Sequence, residues 1–170
     1  MTTRGWGHVV GRARPLGSST YRERLLIMST VLEGLESSFA ERVRRRLSEG
    51  TVVWFTTVGR DGTPQPNPVW FVWDGVDEIL IYSRAEANRV AHIKQRPRVS
   101  VNLDGNGRGG DILVLTGTAT ILPGHPLAHE NPDYLAKYAS AAVRIAGSVA
   151  VFSEEHTAVL RFTIEKIRGQ

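Results

Sequence analysis

Four side chains that could bind an anion are concentrated in one short stretch of the chain. Ser83 and Arg84 end an apolar run typical of a strand, and Arg89 and His92 lie three residues apart in the helical segment that follows. A hydroxyl, a guanidinium and a helix N-terminus are groups that commonly hold a phosphate. The spacing fits a phosphate cradle and a pair of solvated arginines equally well, so both interpretations stay open.

Other kinds of catalytic site find little support in the chain. His125 and His129 are four residues apart, but Pro126 lies between them and the H-E-x-x-H pattern is missing, which argues against a zinc pair. No serine stands in a nucleophile elbow, and no P-loop is present. Residues 105–110 match G-x-G-x-x-G, yet a strand-like run follows where the dinucleotide fingerprint requires a helix. We interpret this segment as a glycine hairpin.

Three strand-like runs, 52–58, 63–73 and 79–83, lead to the possible cradle. β-Branched and aromatic residues dominate each run, and Asp-Gly pairs stand between them where hairpins need positive φ. The second run has prolines at positions 64, 66 and 68, and proline cannot donate to a ladder, so this strand must lie at an edge or along a groove. With Asn67 and Trp70 beside the prolines, the strand suits the wall of a ligand cleft. A plain meander with a proline-rich edge explains the pattern equally well.

Three more strands and three helices complete the predicted architecture. The strands are expected at 98–103, 112–121 and 157–167, with a single turn before the last. The helices are expected at 35–49, 85–96 and 131–147, the last with its inner face formed by Tyr134, Leu135, Tyr138, Ala141, Ala142 and Ile145. Six mostly antiparallel strands favour a mainly β (α+β) fold closed into a small barrel, because closure removes exposed edges.

The positive charge belongs to the front of the chain. Residues 1–27 carry five of the 21 basic residues and one of the 17 acids, so the remainder is neutral although the whole chain is +4. We expect 1–27 to be a disordered basic extension, with Met28 as a possible true start, and 28–170 to be one domain. This neutrality argues against nucleic-acid binding, no apolar run is long enough to span a membrane, and the lack of cysteine fits a reducing cytoplasm.

From about residue 35 to 167 the chain resembles the pyridoxamine 5'-phosphate oxidase-like proteins of the FMN-binding split β-barrel superfamily. The resemblance rests on segment 55–71 (FTTVGRDGTPQPNPVWF), on Tyr82-Ser83-Arg84, on segment 96–102 and on segment 105–111. Within that superfamily the chain is most similar to the actinobacterial branch that uses the deazaflavin coenzyme F420. The resemblance implies a six-stranded antiparallel split barrel with short peripheral helices.

The resemblance also implies a homodimer with two cofactor sites at the subunit interface. Pro66, Asn67, Val69 and Trp70 would lie along the ring system of the cofactor. Its phosphate and tail would be held by Ser83, Arg84 and Arg89, and the partner chain would bring Asn102 and Asp104 towards the site. Arg89 stands where relatives usually carry lysine, a change that keeps the charge and alters its geometry.

The function implied by the resemblance is hydride transfer between F420 and a small electron-poor acceptor, with no side chain assigned as a catalytic acid or base. Two alternatives share the fold. One is a protein that binds flavin, deazaflavin or a haem-breakdown pigment without turnover, and the other is an FMN-dependent oxidase.

Overall fold

The structure is a computed structural model that describes residues 31–32 and 34–169. The predicted extension at 1–27 lies outside the described residues. The described chain forms one curled antiparallel sheet with helices at its rim. Its strands are β1 (Val53–Val58), β2 (Pro64–Val69), β3 (Val72–Trp73), β4 (Glu78–Ser83), β5 (Arg98–Leu103), β6 (Leu113–Ile121) and β7 (Ala158–Gly169). Its helices are α1 (Ser37–Glu49), α2 (Asn88–Gln95), a 3₁₀ turn (Ala128–Glu130), α3 (Pro132–Ala146) and α4 (Val149–Glu155).

The order of the strands explains why the sheet curls. The order is β2-β1-β5-β6-β7-β4-β3, so the two edge strands are consecutive in the chain. Only Trp70 and Phe71 join them, and three Cα–Cα steps span at most about 11 Å. The two edges must therefore approach each other, which gives the split barrel that was predicted. The sheet has seven strands and not six, because the expected strand at 63–73 changes partner at Trp70 and Phe71, leaving β1 and pairing with β4.

Strand β2 forms one edge of the sheet, as its prolines predicted. Its residues pair with β1 from Val53↔Val69 to Val58↔Pro64. Because the three prolines have no N–H, the ladder N–H groups of this strand come from the alternate residues Gln65, Asn67 and Val69. Within the described chain, strand β2 is therefore hydrogen-bonded to the sheet on one side, by β1.

The inward faces of the strands fill the barrel with apolar side chains. Phe55, Ile81, Leu115 and Phe162 are completely buried, and the rings of Phe55 and Phe162 meet edge to face at 6.5 Å. Such edge-to-face pairs add to the stabilisation that comes from burying the rings. This core positions the end of β4, and with it Ser83, next to the start of α2.

Strands β6 and β7 form the longest pair and contain a bulge that the sequence analysis did not anticipate. The register shifts between Thr116 and Gly117. A Cβ on Gly117 would lie 1.9 Å from the carbonyl oxygen of Thr163, so only glycine fits the close approach of the two backbones. The bulge bends the pair and helps the sheet to curl.

Helices α3 and α4 pack beside the segment that joins β2 to β3 and form a second apolar cluster there. Helix α3 begins as predicted, with Asn131 accepting from the N–H groups of Asp133 and Tyr134, and it ends before Gly147, whose φ is 80°. Tyr134, Tyr138, Ala142 and Phe152 are among its buried residues.

Three of the helix predictions need correction. Ile145 was expected on the inner face of α3 but is 65% exposed, because the helix turns that position outwards in its last turn. The single turn expected before the last strand, at 153–156, is the end of α4 with its C-cap His156, and the Ser148 side chain caps the start of this helix by accepting from Val151 N–H. The helix expected at 85–96 is shorter, since residues 84–87 form a turn closed by Ala87 N–H donating to Arg84 O.

No single helix in the described part of the chain has the length and apolar character of a membrane span, although α3 and α4, bent by 84°, pass this test together. Within the same residues no group of three or more His, Cys, Asp or Glu side chains could hold a metal ion.

Candidate functional site

The predicted anion-binding groups meet where β4 ends and α2 begins. Ser83 is completely buried, and its Oγ accepts a hydrogen bond of 2.9 Å from the Arg89 guanidinium and donates to Arg84 O. Burial lowers the pKa of Arg89, and no carboxylate pairs with it among the residues that the structure describes. The cradle therefore contains a half-buried guanidinium, Arg89, which Ser83 orients and which forms no ion pair with a carboxylate of the described residues.

Arg89 forms one wall of an open cleft of about 210 Å³, which we call the arginine cleft. Its other walls come from the end of β2, from β4 and from the α3–α4 corner. The lining residues are Pro68, Val69, Trp70, Tyr82, Arg89, Tyr134, Ile145, Phe152 and His156. A cation on one side and aromatic or apolar groups on the others form a site suited to a planar ligand that carries an anionic group.

The aromatic wall of the arginine cleft is a packed cluster. The Trp70 ring stacks on Tyr138 at 4.9 Å and on Phe152 at 5.4 Å between centroids. Tyr82 meets Tyr134 edge to face at 4.8 Å, and the Tyr82 hydroxyl accepts a hydrogen bond from Asn131. These contacts fix the wall in one arrangement before any ligand binds.

Tyr134 differs from its neighbours because its hydroxyl has no hydrogen-bond partner among the described residues. The side chain is only 1% exposed, and burial, with the nearby Tyr138 and Tyr82, raises its pKa strongly. A buried hydroxyl without a hydrogen-bond partner lowers the free energy of unfolding, and Tyr134 has this feature while it lines the arginine cleft.

His156 completes the cleft at the end of α4. Its ring stacks on Phe152 at 4.0 Å, and its Nδ1 lies 2.8 Å from Phe152 O. A carbonyl oxygen can only accept, so Nδ1 carries the proton in this bond, and in the neutral ring Nε2 has the free lone pair. This is the arrangement by which proteins orient an imidazole towards a ligand.

The structure brings together some of the predicted site residues. Val69, Trp70 and Arg89 line the arginine cleft, and Ser83 reaches it through its bond to Arg89. Pro66 and Asn67 lie earlier on β2, outside the lining.

Arg84 lies outside the cleft lining and pairs with Glu155 at 2.7 Å on the exposed side of the cradle. His92 is turned towards β1, where its Nδ1 lies 2.9 Å from the Thr57 hydroxyl. Glu155 therefore engages one N–H group of the exposed Arg84 guanidinium, and His92 supports the helix.

Asn102 and Asp104 lie in another part of the chain. Asn102 is opposite Trp54 in the pairing of β5 with β1, and the Asp104 carboxylate accepts from Trp54 Nε1 at 2.7 Å. Neither residue lines the arginine cleft.

Sequence reasoning missed the contribution of the α3–α4 corner to the site. Tyr134 was assigned only to a helix core, His156 to an isolated turn and Tyr82 to a strand. Tyr134 is an aromatic residue on the inner face of a helix and Tyr82 lies in an apolar strand, and an ordinary core gives the same signals. Only the tertiary structure distinguishes the two cases.

Comparisons with known proteins agree with this architecture. The profile of the family described as Pyridoxamine 5'-phosphate oxidase matches residues 39–170. Among curated protein sequences no significant match to the chain was found.

Several solved structures share the fold at low sequence identity. A protein related to general stress protein 26, of the pyridoxinephosphate oxidase family, from Clostridium acetobutylicum has a TM-score of 0.61 at 16% identity, covering 78% of this chain and 88% of that one. A heme binding protein from Mycobacterium smegmatis gives 0.57 at 18%, covering 79% and 54%. The heme storage protein HutZ from Vibrio cholerae gives 0.52 at 12%, covering 76% and 92%.

Proposed function

The chain belongs to the pyridoxamine 5'-phosphate oxidase family, and we propose that it is a reductase that transfers hydride between coenzyme F420 and a small electron-poor acceptor. The observation that carries the proposal is the cradle formed by Arg89 and Ser83 beside an aromatic cleft. This half-buried guanidinium lacks a carboxylate partner among the described residues and suits the phosphate of a flavin or deazaflavin.

The chemical types of the residues in the arginine cleft match the parts of the cofactor. Arg89 and Ser83 would hold its phosphate, and Val69 and Trp70 would lie along its ring system. When bound, the deazaflavin supplies the hydride chemistry. The protein binds it, orients it through the fixed aromatic wall and keeps water away from one side of the ring. Arg84 would reach the tail by exchanging its exposed bond to Glu155 for the ligand.

The cleft is open, and a second copy of the chain would complete it. Ile145 lies in its lining at 65% exposure. A large exposed apolar side chain at an open cleft suits a surface that a partner covers. In the proposed homodimer the partner would bring its Asn102 and Asp104 to the cofactor. Sedimentation of the wild type and of Ile145→Glu tests this: the variant should shift towards monomer and lose cofactor affinity together.

The test of the cofactor is a titration of the purified protein with F420 and, separately, with FMN, followed by absorbance and fluorescence. We expect F420 to bind more tightly, and the reduced cofactor to be oxidised when a quinone such as menadione is added. Tighter binding of FMN with consumption of oxygen would favour an FMN oxidase. Binding of F420 without turnover of any quinone or enone would favour a carrier.

A second candidate function is the binding of haem or a haem-breakdown pigment, and His156 is the observation that favours it. Its Nδ1 is held by Phe152 O, which leaves Nε2 as the lone-pair donor of an imidazole that lines the cleft. Two proteins with the same fold are named for haem binding and haem storage. Titration with hemin decides: a Soret shift that is lost in His156→Ala but kept in His129→Ala would support this candidate, and equal spectra would refute it.

A further inference from the structure

A second cleft, of about 390 Å³, adjoins the arginine cleft at Trp70, a residue that lines both. We call it the lysine cleft. It is lined by Thr51, Trp70, Lys137, Tyr138, Ser140, Ala141 and Arg144. Its lining includes two cations and three hydroxyl side chains, and no carboxylate.

Lys137 has an unusual environment for a lysine on a helix. Asp133 stands one turn earlier, where an acid commonly pairs with a lysine, yet the two form no ion pair within the described chain. The ammonium instead donates to Phe71 O at 3.1 Å and lies 4.0 Å from the centroid of the Phe71 ring. An ammonium has three N–H donors, and Phe71 O is its one hydrogen-bond acceptor among the described residues.

The charge of Lys137 is therefore only partly compensated. Burial lowers its pKa to about 8. The charged and titratable groups around it are Arg144 and Tyr138 in the lysine cleft, and Asp74 and Asp133 in an adjoining cleft that Lys137 also borders. An anion in the lysine cleft would accept the remaining N–H groups and lie between two cations.

Trp70 connects this cleft with the proposed cofactor site, because the same side chain lines both. An aromatic wall next to a pair of cations matches a flat molecule that carries an anionic group. We propose that the lysine cleft binds the carboxylate or sulfonate of a planar conjugated ligand whose ring rests against Trp70. The identity of this ligand rests on the proposed function: if the protein is a reductase, the ligand of the lysine cleft is its hydride acceptor.

Binding can be measured without any cofactor, by calorimetric titration of the full chain with 2-naphthoate and with its neutral analogue 2-naphthamide. The wild type should bind the anion at least tenfold more tightly than the amide. Lys137→Met should weaken naphthoate binding about ten- to a hundredfold and leave amide binding unchanged. Arg144→Met, at an exposed position, should cause a smaller loss, and it carries the test alone if Lys137→Met does not fold. Lys166→Met, an exposed cation outside the cleft lining, is the matched control.

A purely structural lysine would not produce the second readout, which is proton uptake. With a pKa of about 8, half of the Lys137 side chains are neutral at pH 8. Binding of the anion to the charged form should then take up about half a proton per site, seen as a dependence of the binding heat on the buffer. Lys137→Met should show none. Equal affinity for naphthoate and naphthamide, or uptake unchanged in Lys137→Met, would overturn the site.

A separate kinetic experiment tests whether the ligand of the lysine cleft is the hydride acceptor. With reduced F420 saturating, Lys137→Met should raise the KM for 1,4-naphthoquinone-2-sulfonate about tenfold or more and leave the KM for 1,4-naphthoquinone unchanged. If the wild type reduces both quinones and the variant does not alter either KM, the acceptor assignment is wrong while the reductase stands. If no quinone is reduced but naphthoate binding still depends on Lys137, the proposed function fails and the anion site stands.

Discussion

Two buried tyrosines, one turn apart on α3, should respond in opposite ways to the loss of a single oxygen. The Tyr138 hydroxyl accepts from Phe71 N–H at 3.0 Å and lies 2.7 Å from Phe71 O and 2.8 Å from Thr51 O, the acceptors for its one hydrogen. The Tyr134 hydroxyl has no partner in the described chain. Both side chains are at most 2% exposed, so the pair differs mainly in hydrogen bonding.

The magnitudes follow from which groups lose a partner. In Tyr138→Phe the buried N–H of Phe71 is left unsatisfied, whereas Phe71 O keeps the bond from Lys137. One buried, unsatisfied backbone group costs about 1–3 kcal/mol, so we expect a loss of about 2 kcal/mol. Tyr134→Phe removes a hydroxyl that was desolvated without compensation, so stability should be unchanged or rise by up to about 1 kcal/mol.

Urea denaturation followed by tryptophan fluorescence measures the difference. With an m-value of about 2 kcal/mol/M, the midpoint of Tyr138→Phe should fall by about 1 M, and that of Tyr134→Phe should stay or increase. Unchanged m-values are the control that both variants keep the native compactness. Free energies of unfolding that change equally, within about 0.5 kcal/mol, would show that the hydrogen bonds of Tyr138 do not distinguish the two tyrosines, and would refute the reasoning.

Three further substitutions test the cradle, the lysine and the bulge. Arg89→Met should weaken F420 binding about ten- to a hundredfold in a fluorescence titration, while the exposed Arg98→Met should not; equal losses would place the phosphate elsewhere. Burial lowers the pKa of Lys137 from 10.5 to about 8, so between these pH values the unfolded chain binds more protons than the folded one. The wild type should therefore gain stability relative to Lys137→Met as the pH rises through this window. Urea midpoints of the two proteins that run parallel from pH 7 to 10.5 would contradict this. In Gly117→Ala the added Cβ would meet Thr163 O at 1.9 Å, so a loss of about 3 kcal/mol or more is expected, and an unchanged melting temperature would show that the backbones can separate.

Local patterns predicted most of the fold. The alternate prolines placed β2 at an edge, the sequence Asn131-Pro132-Asp133 marked the start of α3, and the glycine segment at 105–110 connects two strands as expected. Each of these signals acts within a few residues, because a missing N–H or a side-chain cap limits the backbone directly. The strand at 98–103 was predicted with its observed bounds.

The errors have a non-local cause. Nothing in the local sequence marks Trp70 and Phe71 as the point where the chain leaves one partner strand for another, because that change depends on β4 and on Tyr138, 67 residues away from Phe71. The outward turn of Ile145 and the exposed bond of Arg84 to Glu155 also depend on packing between distant elements. Residue types indicated the cradle, but the aromatic half of the cleft required the tertiary structure.

The prolines of β2 also bear on how this protein avoids self-association through its sheet. With the ladder N–H groups supplied by the alternate residues, the open side of β2 offers carbonyl oxygens at 64, 66 and 68 and no N–H donor at these positions. An incoming strand needs both, so this edge cannot template amyloid-like addition. The opposite edge, β3, is only two residues long. Within the described chain the split barrel thus keeps two open edges, and neither one favours the addition of another chain to the sheet.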